Sequence, residues 1–256
     1  MLLAIDVGNS NVVIGCLDGK KVTRVFRLLT NSLKTEDEYV VDIKNVLDFG
    51  GALNAEFDGA IISCVVPPLT GVFRSAVKRL TGLDALVVGA GIRIGMNILL
   101  DDPAQLGSDM VASGVAAIAA YPLPAIVIDL GTATKVSVIN KNAGFIGGCI
   151  FPGVALAMNA LTRGTSQLPK VPIEAPAKCI SANTVDCMKS GAVFGNAAMI
   201  DGMIDRVEEE LGMKASVIAT GGFASVIYPH CKHAVTFDRD LIMHGLAIIH
   251  EKNKKK

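Results

Sequence analysis

Two apolar segments in opposite halves of the chain end in the same way, and this repeat constrains the fold more than any other feature of the sequence. Residues 2–7 lead into Asp6-Val7-Gly8, and residues 125–129 lead into Asp129-Leu130-Gly131. A second apolar segment follows each aspartate-x-glycine turn. Short apolar runs bounded by turn residues are typical of buried strands. The sequence therefore predicts two halves that open with the same strand–turn–strand unit.

The remaining segments alternate between strand and helix patterns. The first half predicts strands at 2–7, 12–17, 20–29, 60–66 and 85–88, a helix that begins with the capping box of Thr35 and Glu38, and helices at 67–80 and 111–120. The second half predicts strands at 125–129, 135–139, 145–151 and 217–220 and helices at 154–161, 184–211 and 239–250. This order indicates an α/β protein of two domains with a cleft between them, divided near residues 110–122.

Composition and charge exclude several classes of protein. Hydrophobic residues make up 51% and charged residues 19% of the 256 residues, which provides a large core and excludes general disorder. Lysine plus arginine and aspartate plus glutamate both number 24, and the resulting net charge of zero gives no electrostatic footprint for nucleic acid or an anionic membrane. The six cysteines form no Cys-x-x-Cys pair, which is typical of buried thiols in a reducing compartment.

The sequence also predicts a cytoplasmic location. Its first residues lack a basic leader and reach a carboxylate at Asp6, unlike a signal peptide. Residues 110–128 carry no charge, but Gly114, Pro122 and Pro124 interrupt them. A helix followed by a buried strand explains this stretch better than a membrane span of about 20 residues.

Each aspartate-x-glycine turn has the groups that bind an anion or a metal ion. A glycine lets the backbone approach a phosphate without a Cβ in the way, and the hydroxyl of Ser10 or Thr132 can donate to phosphate oxygens. An aspartate at a strand end can hold Mg²⁺, directly or through water. An ordinary hairpin turn is the alternative for one copy, whereas two matching copies favour phosphate binding.

A third glycine turn, Gly221-Gly222, follows the apolar strand at 217–220. A flat ligand such as adenine can lie against a backbone without side chains, although a plain strand-to-helix turn is the alternative. The sequence contains no P-loop motif, residues 89–95 have the wrong spacing for a dinucleotide loop, and the four histidines lack metal-ligand spacing.

Asp109 follows Gly107-Ser108 at the start of the helix predicted at 111–120. A carboxylate in the first turn stabilises a helix through its dipole, with Ser108 as a cap. The same carboxylate can also act as a general base for an attacking hydroxyl. The sequence leaves both interpretations open.

Taken together, these residues resemble the type III pantothenate kinases, of the superfamily that includes sugar kinases, actin and a major chaperone ATPase. The resemblance covers nearly the whole chain and rests on seven segments, at residues 6–11, 63–67, 107–109, 129–134, 147–153, 183–184 and 219–222. It implies two duplicated ribonuclease H-like (actin-like ATPase) domains, residues 1–115 and 116–256, each with a mixed sheet flanked by helices. It further implies phosphorylation of pantothenate by ATP, the first step of coenzyme A synthesis, in a homodimer whose interface completes the site.

The resemblance also implies roles for individual residues. Asp109 would accept the proton of the pantothenate hydroxyl, Asp129 would bind a monovalent cation (potassium or ammonium), and Asp6 would lie near the Mg²⁺ of ATP without binding it directly. The residues implied to contact ATP are Asp6, Val7, Gly8, Asn9, Ser10, Asn11, Thr132, Gly221 and Gly222. The residues implied to contact pantothenate are Gly107, Ser108, Asp109, Met110 and Thr184.

Three positions depart from the family pattern on the acceptor side. Leu100 replaces a tyrosine, Asp102 replaces an asparagine, and Met110 replaces an arginine that follows the catalytic aspartate. Replacing an arginine removes a fixed cation that would pair with a carboxylate substrate. A non-catalytic nucleotide-binding paralogue and a kinase for another small alcohol are therefore alternatives. The sequence leaves open whether Lys135 compensates for the missing arginine.

Overall fold

The computed structural model describes residues 1–53 and 55–254. The protein is an α/β protein of two compact units, each built on one mixed sheet. The first unit consists of residues 1–96, 101–119 and the chain from 240 onward, and the second of residues 97–100 and 120–239. The predicted class, two similar α/β halves, is confirmed. Among the described residues, no helix is both long and apolar enough to cross a bilayer.

The first unit has a five-stranded sheet in the order β3-β2-β1-β4-β5. Its strands are β1 (Leu2–Val7), β2 (Asn11–Asp18), β3 (Lys21–Leu29), β4 (Gly59–Cys64) and β5 (Leu86–Val87). β1 pairs antiparallel with β2 and parallel with β4. All six residues of β1 are buried, as expected for an apolar run at the centre of a sheet.

The first unit also contains helices α1 (Glu36–Phe49), α2 (Pro67–Thr81) and α3 (Ser108–Ala120) and the last helix of the chain. The predicted capping box of α1 is present, since Thr35 and Glu38 bond reciprocally. The prolines Pro67 and Pro68 occupy the first turn of α2, where their missing N–H groups cost nothing. Tyr39 of α1 and Phe73 of α2 are fully buried, with ring centroids 4.5 Å apart, and join these helices in one core.

The second unit has a six-stranded sheet in the order β11-β10-β7-β8-β9-β6. Its strands are β6 (Asn97–Ile98), β7 (Ala125–Leu130), β8 (Ala133–Ile139), β9 (Gly144–Pro152), β10 (Ser216–Thr220) and β11 (Thr236–Phe237). β7 pairs antiparallel with β8 and parallel with β10. Apart from β6, this order repeats that of the first sheet strand for strand, so the two aspartate-x-glycine turns occupy equivalent positions.

The helices of the second unit are α4 (Val154–Arg163), α5 (Thr184–Ser190), α6 (Asn196–Leu211) and α7 (Ala224–Ile227). The helix predicted at 184–211 has these bounds, but a π-helical turn at Gly191–Gly195, which the sequence did not predict, divides it into α5 and α6. Two glycines weaken regular helix here, and the amide of Asn196 donates to the Ala192 carbonyl at 2.8 Å. The wider turn keeps Ala192 and Val193 buried.

The last helix, α8 (Leu241–Asn253), explains why the compact units have other bounds than the division into residues 1–115 and 116–256. α8 packs on β1 and β4 of the first sheet. Six residues of α8 are buried. The apolar face of α8 therefore completes the core of the first unit rather than that of the second. The units are therefore interleaved along the sequence.

We expect Gly245→Ala to destabilise the protein, because a Cβ at Gly245 of α8 would lie 1.8 Å from the carbonyl oxygen of Ala112 in α3. Overpacking of this kind costs about 1–3 kcal/mol. Urea unfolding measures the loss. Gly71→Ala in α2 is the matched control, since nothing lies within 4 Å of its Cβ, and this change should stabilise the helix by about 0.5–1 kcal/mol. Equal stability of Gly245→Ala and the unmodified protein would contradict this packing.

Candidate functional site

Asp6 lies near the end of β1 and is only 8% exposed. In the parallel pair of β1 and β4, Ser63 lies directly opposite Asp6, and its hydroxyl donates to Asp6 Oδ1 at 2.7 Å. Ser63 Oγ also lies 3.0 Å from Ser108 Oγ. Because a buried carboxylate needs such a donor, Ser63 fixes the position of Asp6 and connects it to the start of α3.

The turn after β1 is held at both ends. Gly8 N donates to the Asn11 carbonyl at 3.0 Å. The Thr30 hydroxyl donates to the Gly8 carbonyl at 2.7 Å, and Thr30 N donates to the Ser10 carbonyl at 3.0 Å. The side chains of Asn9, Ser10 and Asn11 are exposed. The turn thus presents three polar side chains on a fixed backbone.

Asp109 lies in the first turn of α3, as the sequence predicts. Its Oδ1 accepts from Met110 N at 2.7 Å. A Cβ on Gly107 would lie 2.6 Å from the same oxygen, so the carboxylate lies close against the backbone of Gly107. Ser108 lies inside the helix and directs its hydroxyl to Ser63 rather than capping α3. The Asp109 carboxylate is therefore oriented by backbone on both sides.

Asp129, the equivalent of Asp6 in the second unit, has a different partner. Lys135 lies opposite Asp129 across the β7–β8 hairpin, and Lys135 Nζ is 2.8 Å from Asp129 Oδ2. The two side chains are 16% and 17% exposed. Val13 lies opposite Asp6 at the same place in the first unit. A lysine at this register position is therefore a feature of the second hairpin and not of the first.

The glycines around Asp129 approach it closely. A Cβ on Gly221 would lie 2.5 Å from Asp129 Oδ1 and 2.7 Å from the Leu130 backbone, and the φ of Gly221 is +96°. A Cβ on Gly131 would lie 3.3 Å from the same oxygen. Only glycine fits such a position at Gly221 without strain. The glycine at 221 therefore has a structural cause in the Asp129 turn, whereas a Cβ at Gly222 would meet nothing within 4 Å.

Gly153 was outside the predicted site residues, although it fixes the second turn. Gly153 N donates to the Thr132 carbonyl at 3.1 Å, and a Cβ there would lie 2.3 Å from that oxygen. The Thr132 side chain itself is exposed. Ser63 was missed in the same way, because its bond to Asp6 joins residues 57 positions apart. Both residues lie in segments that carry the family resemblance, at 63–67 and 147–153, and this is the sequence signal by which they could have been found.

Thr184 is exposed in the first turn of α5, where the Asn183 side chain caps the helix by accepting from Asp186 N. It borders a cavity of about 810 Å³ in the second unit. The aliphatic residues of this cavity include Val154, Ala157, Met158, Leu161 and Leu168. Thr184 thus adds a polar group to a mostly apolar pocket.

Within each unit, the structure brings together part of the predicted set. In the first unit, Ser63 contacts both Asp6 and Ser108, and Asp109 follows Ser108 directly in the sequence. The second unit places Asp129 beside Lys135, Gly131 and Gly221. Thr184 lies in the cavity beside α4 and α5.

A separate acidic group in the second unit comprises Asp205, Glu208 and His233, with one ligand atom of each within 4.8 Å of the others. Burial raises the pKa of Glu208, but hydrogen bonds from Lys214 and from Ala215 N outweigh it and leave the pKa lowered. Lys214 Nζ lies 2.6 Å from Glu208, and His233 Nε2 lies 2.9 Å from Asp205. The Lys214–Glu208 ion pair and the hydrogen bond between His233 and Asp205 thus give these side chains protein partners.

The chain matches the family model of type III pantothenate kinase over residues 2–206. The type III pantothenate kinase of Roseiflexus castenholzii is 39% identical over 255 residues, covering 100% of both chains. That of Halalkalibacterium halodurans is 37% identical over 253 residues, covering 99% of this chain and 100% of the relative. The chain belongs to the type III pantothenate kinase family. The resemblance inferred from the sequence is thereby confirmed.

Solved structures share the fold of this family member at low identity. A Campylobacter jejuni protein described as a conserved Baf family transcriptional activator matches with a TM-score of 0.61 and 19% identity, covering 98% of each chain. A ROK family glucokinase from Streptomyces griseus, in complex with glucose and AMPPNP, matches with a TM-score of 0.56 and 12% identity, again over 98% of each chain. Together with the repeated sheet order, these matches confirm the actin-like ATPase fold class.

We expect Ser63→Ala to destabilise this type III pantothenate kinase family member, because it leaves the buried Asp6 carboxylate without its Ser63 donor. Hydrogen bonds to charged groups contribute about 1.5–3 kcal/mol, and urea unfolding at neutral pH measures the change. Ser113→Ala is the control. Ser113 is also buried, but its hydroxyl donates only to the Met110 carbonyl of its own helix, so its removal should cost less. Equal losses for both variants would contradict the role assigned to Ser63.

Proposed function

We propose that this protein phosphorylates pantothenate with ATP, giving 4′-phosphopantothenate in the first step of coenzyme A synthesis. The observation that carries this proposal is the family match over residues 2–206, in a chain whose aspartate-x-glycine turns are intact. The names of full-length relatives favour pantothenate over the two alternatives, a non-catalytic paralogue and a kinase for another alcohol.

The two aspartate-x-glycine turns are proposed to bind ATP. In the first unit, the proposed contacts come from Asp6, Val7, Gly8, Asn9, Ser10 and Asn11. In the second unit, they come from Thr132, Gly221 and Gly222. Support comes from backbones held by internal hydrogen bonds, which allow polar groups to meet phosphate oxygens without reorganising.

The kinase family implies that ATP binds with a divalent metal ion, which we propose to be Mg²⁺. The carboxylate of Asp6 fits this ion, because hard oxygen ligands and retained waters are what Mg²⁺ prefers. Asp6 is proposed to act through water, since Ser63 already donates to its Oδ1. When bound, Mg²⁺ would supply charge neutralisation at the phosphates.

Asp109 is proposed to be the general base that accepts the proton of the acceptor hydroxyl. Its carboxylate is oriented by Met110 N and by the Cβ-free backbone of Gly107. A fixed orientation matters because phosphoryl transfer depends chiefly on positioning and electrostatic stabilisation. Gly107, Ser108, Met110 and Thr184 are proposed to contact pantothenate, with Thr184 at the rim of the apolar cavity.

We further propose a cytoplasmic homodimer that completes the site at its interface. Apolar side chains on β9 and α4 support this: Ile150 is 72% exposed, Leu156 52% and Leu161 41%. Exposed apolar groups of this kind are typical of protein–protein contacts.

The resemblance also predicts a potassium or ammonium ion at Asp129. The residues there do not fit a dissolved cation, because the Lys135 ammonium already lies 2.8 Å from Asp129 Oδ2. Two like charges about 4 Å apart repel by about 4 kcal/mol at an effective dielectric constant of about 20. No step of the proposed reaction is therefore assigned to a dissolved monovalent ion.

We expect Asp109→Asn to lower the turnover number for pantothenate by about 10²–10⁴-fold, the usual contribution of a general base. Product formation by mass spectrometry, with saturating ATP and Mg²⁺, measures the effect. Asp84→Asn, which changes a carboxylate whose side chain is 87% exposed, should leave turnover unchanged. Undiminished turnover in Asp109→Asn would remove Asp109 as the base.

We expect Met110→Arg to lower the KM for pantothenate, because it restores a cation for the substrate carboxylate. One charge-assisted hydrogen bond contributes about 1.5–3 kcal/mol, which corresponds to about tenfold to hundredfold in binding. Met110→Leu is the matched control without charge. Pantothenol, which lacks the carboxylate, should gain nothing from Met110→Arg. The same KM for pantothenate in both variants would refute this account of the acceptor pocket.

A further inference from the structure

We propose that the ammonium group of Lys135 is a built-in monovalent cation for the Asp129 carboxylate, so that this protein works without dissolved potassium or ammonium ions. The inference rests on the proposed function in one respect, that Asp129 belongs to the nucleotide-binding turn. Nothing in the family resemblance supplies it, because the resemblance predicts a dissolved ion at Asp129.

The geometry places the ammonium where a dissolved cation would bind a carboxylate oxygen. Asp129 and Lys135 are register partners on adjacent antiparallel strands, so their side chains leave the same face of the sheet at short range. Nζ lies 2.8 Å from Oδ2, and about five-sixths of each side chain is shielded from solvent, with 16% and 17% exposed. Shielding of this extent weakens screening by salt.

The second carboxylate oxygen is also surrounded by protein. A Cβ on Gly221 would lie 2.5 Å from Asp129 Oδ1, and a Cβ on Gly131 would lie 3.3 Å from the same oxygen. The carboxylate therefore has the ammonium on one oxygen and two glycine backbones against the other. A further cation would need to displace one of these neighbours.

The lysine is not required by the hairpin itself. The first unit repeats the same strand–turn–strand arrangement with Val13 at the equivalent position opposite Asp6. The hairpin therefore forms with an apolar residue in one unit and a lysine in the other. We therefore attribute the lysine to the chemistry of the second turn rather than to the stability of the hairpin.

The chemistry of the group suits the role. A lysine side chain ends in a primary ammonium with one positive charge and three N–H donors, which makes it a tethered counterpart of the ammonium ion. Since the tether fixes the group beside Oδ2, no concentration of dissolved ion is needed to fill the position. The variant Lys135→Met removes the charge while keeping an unbranched side chain.

Potassium titration of the enzyme tests this inference directly. Pantothenate phosphorylation is measured with potassium chloride replaced by tetramethylammonium chloride at equal ionic strength. We expect the unmodified protein to be unaffected. Lys135→Met should lose about tenfold in activity without potassium, the effect of about 1.4 kcal/mol, and should recover when potassium or ammonium is added. Lys135→Arg keeps the charge, so its activity should stay independent of potassium. The activity of Lys141→Met, which removes a lysine from the exposed turn between β8 and β9, should also be independent of potassium.

Thermal unfolding provides a readout that does not depend on catalysis. Potassium should raise the unfolding midpoint of Lys135→Met relative to tetramethylammonium and leave that of the unmodified protein unchanged. The inference would be overturned if potassium raised the unfolding midpoint or the activity of the unmodified protein as much as it raises those of Lys135→Met. Absence of pantothenate phosphorylation in every buffer would instead count against the proposed function, and the unfolding midpoints would still decide the role of Lys135.

Discussion

The structure depends on stabilising one carboxylate near the end of an interior strand of each sheet, β1 in the first and β7 in the second. Asp6 and Asp129 both lie where an apolar strand meets a glycine turn, and both are largely shielded from water. A shielded charge is costly unless a partner satisfies it. The fold provides those partners from neighbouring strands, a serine hydroxyl for Asp6 and a lysine ammonium for Asp129.

The two partners give the equivalent turns different chemistry. Ser63 is neutral, so its hydrogen bond stabilises the Asp6 carboxylate without adding a positive charge. Lys135 neutralises Asp129, so the second turn carries no net charge from this pair. The two units thus keep one strand order but differ in the residue that pairs with the equivalent aspartate.

Much of the fold could be predicted from the sequence, because many of its helices and strands have local sequence patterns that are typical of them. The apolar runs, the capping box of Thr35 and the prolines of α2 predict their elements directly. The π-helical turn between α5 and α6 could not be predicted from hydrophobic periodicity, since the apolar spacing continues through Gly191–Gly195. The position of α8 depends on packing against β1 and β4, which are far from it in sequence.

The candidate site was predicted to a similar extent. Aspartate and glycine at turns signal their chemistry locally, whereas the bonds of Ser63 to Asp6 and of Lys135 to Asp129 depend on strand register. Register is a property of the assembled sheet, so the sequence analysis predicts neither of these pairs.

The central claim is that both aspartate-x-glycine turns bind the nucleotide. Amide hydrogen exchange with and without ATP and Mg²⁺ tests it most directly, because it reports on each turn separately. The account predicts slower exchange at residues 8–11 and also at residues 131–132 when ATP is present. Unchanged exchange at both turns under saturating ATP would contradict it.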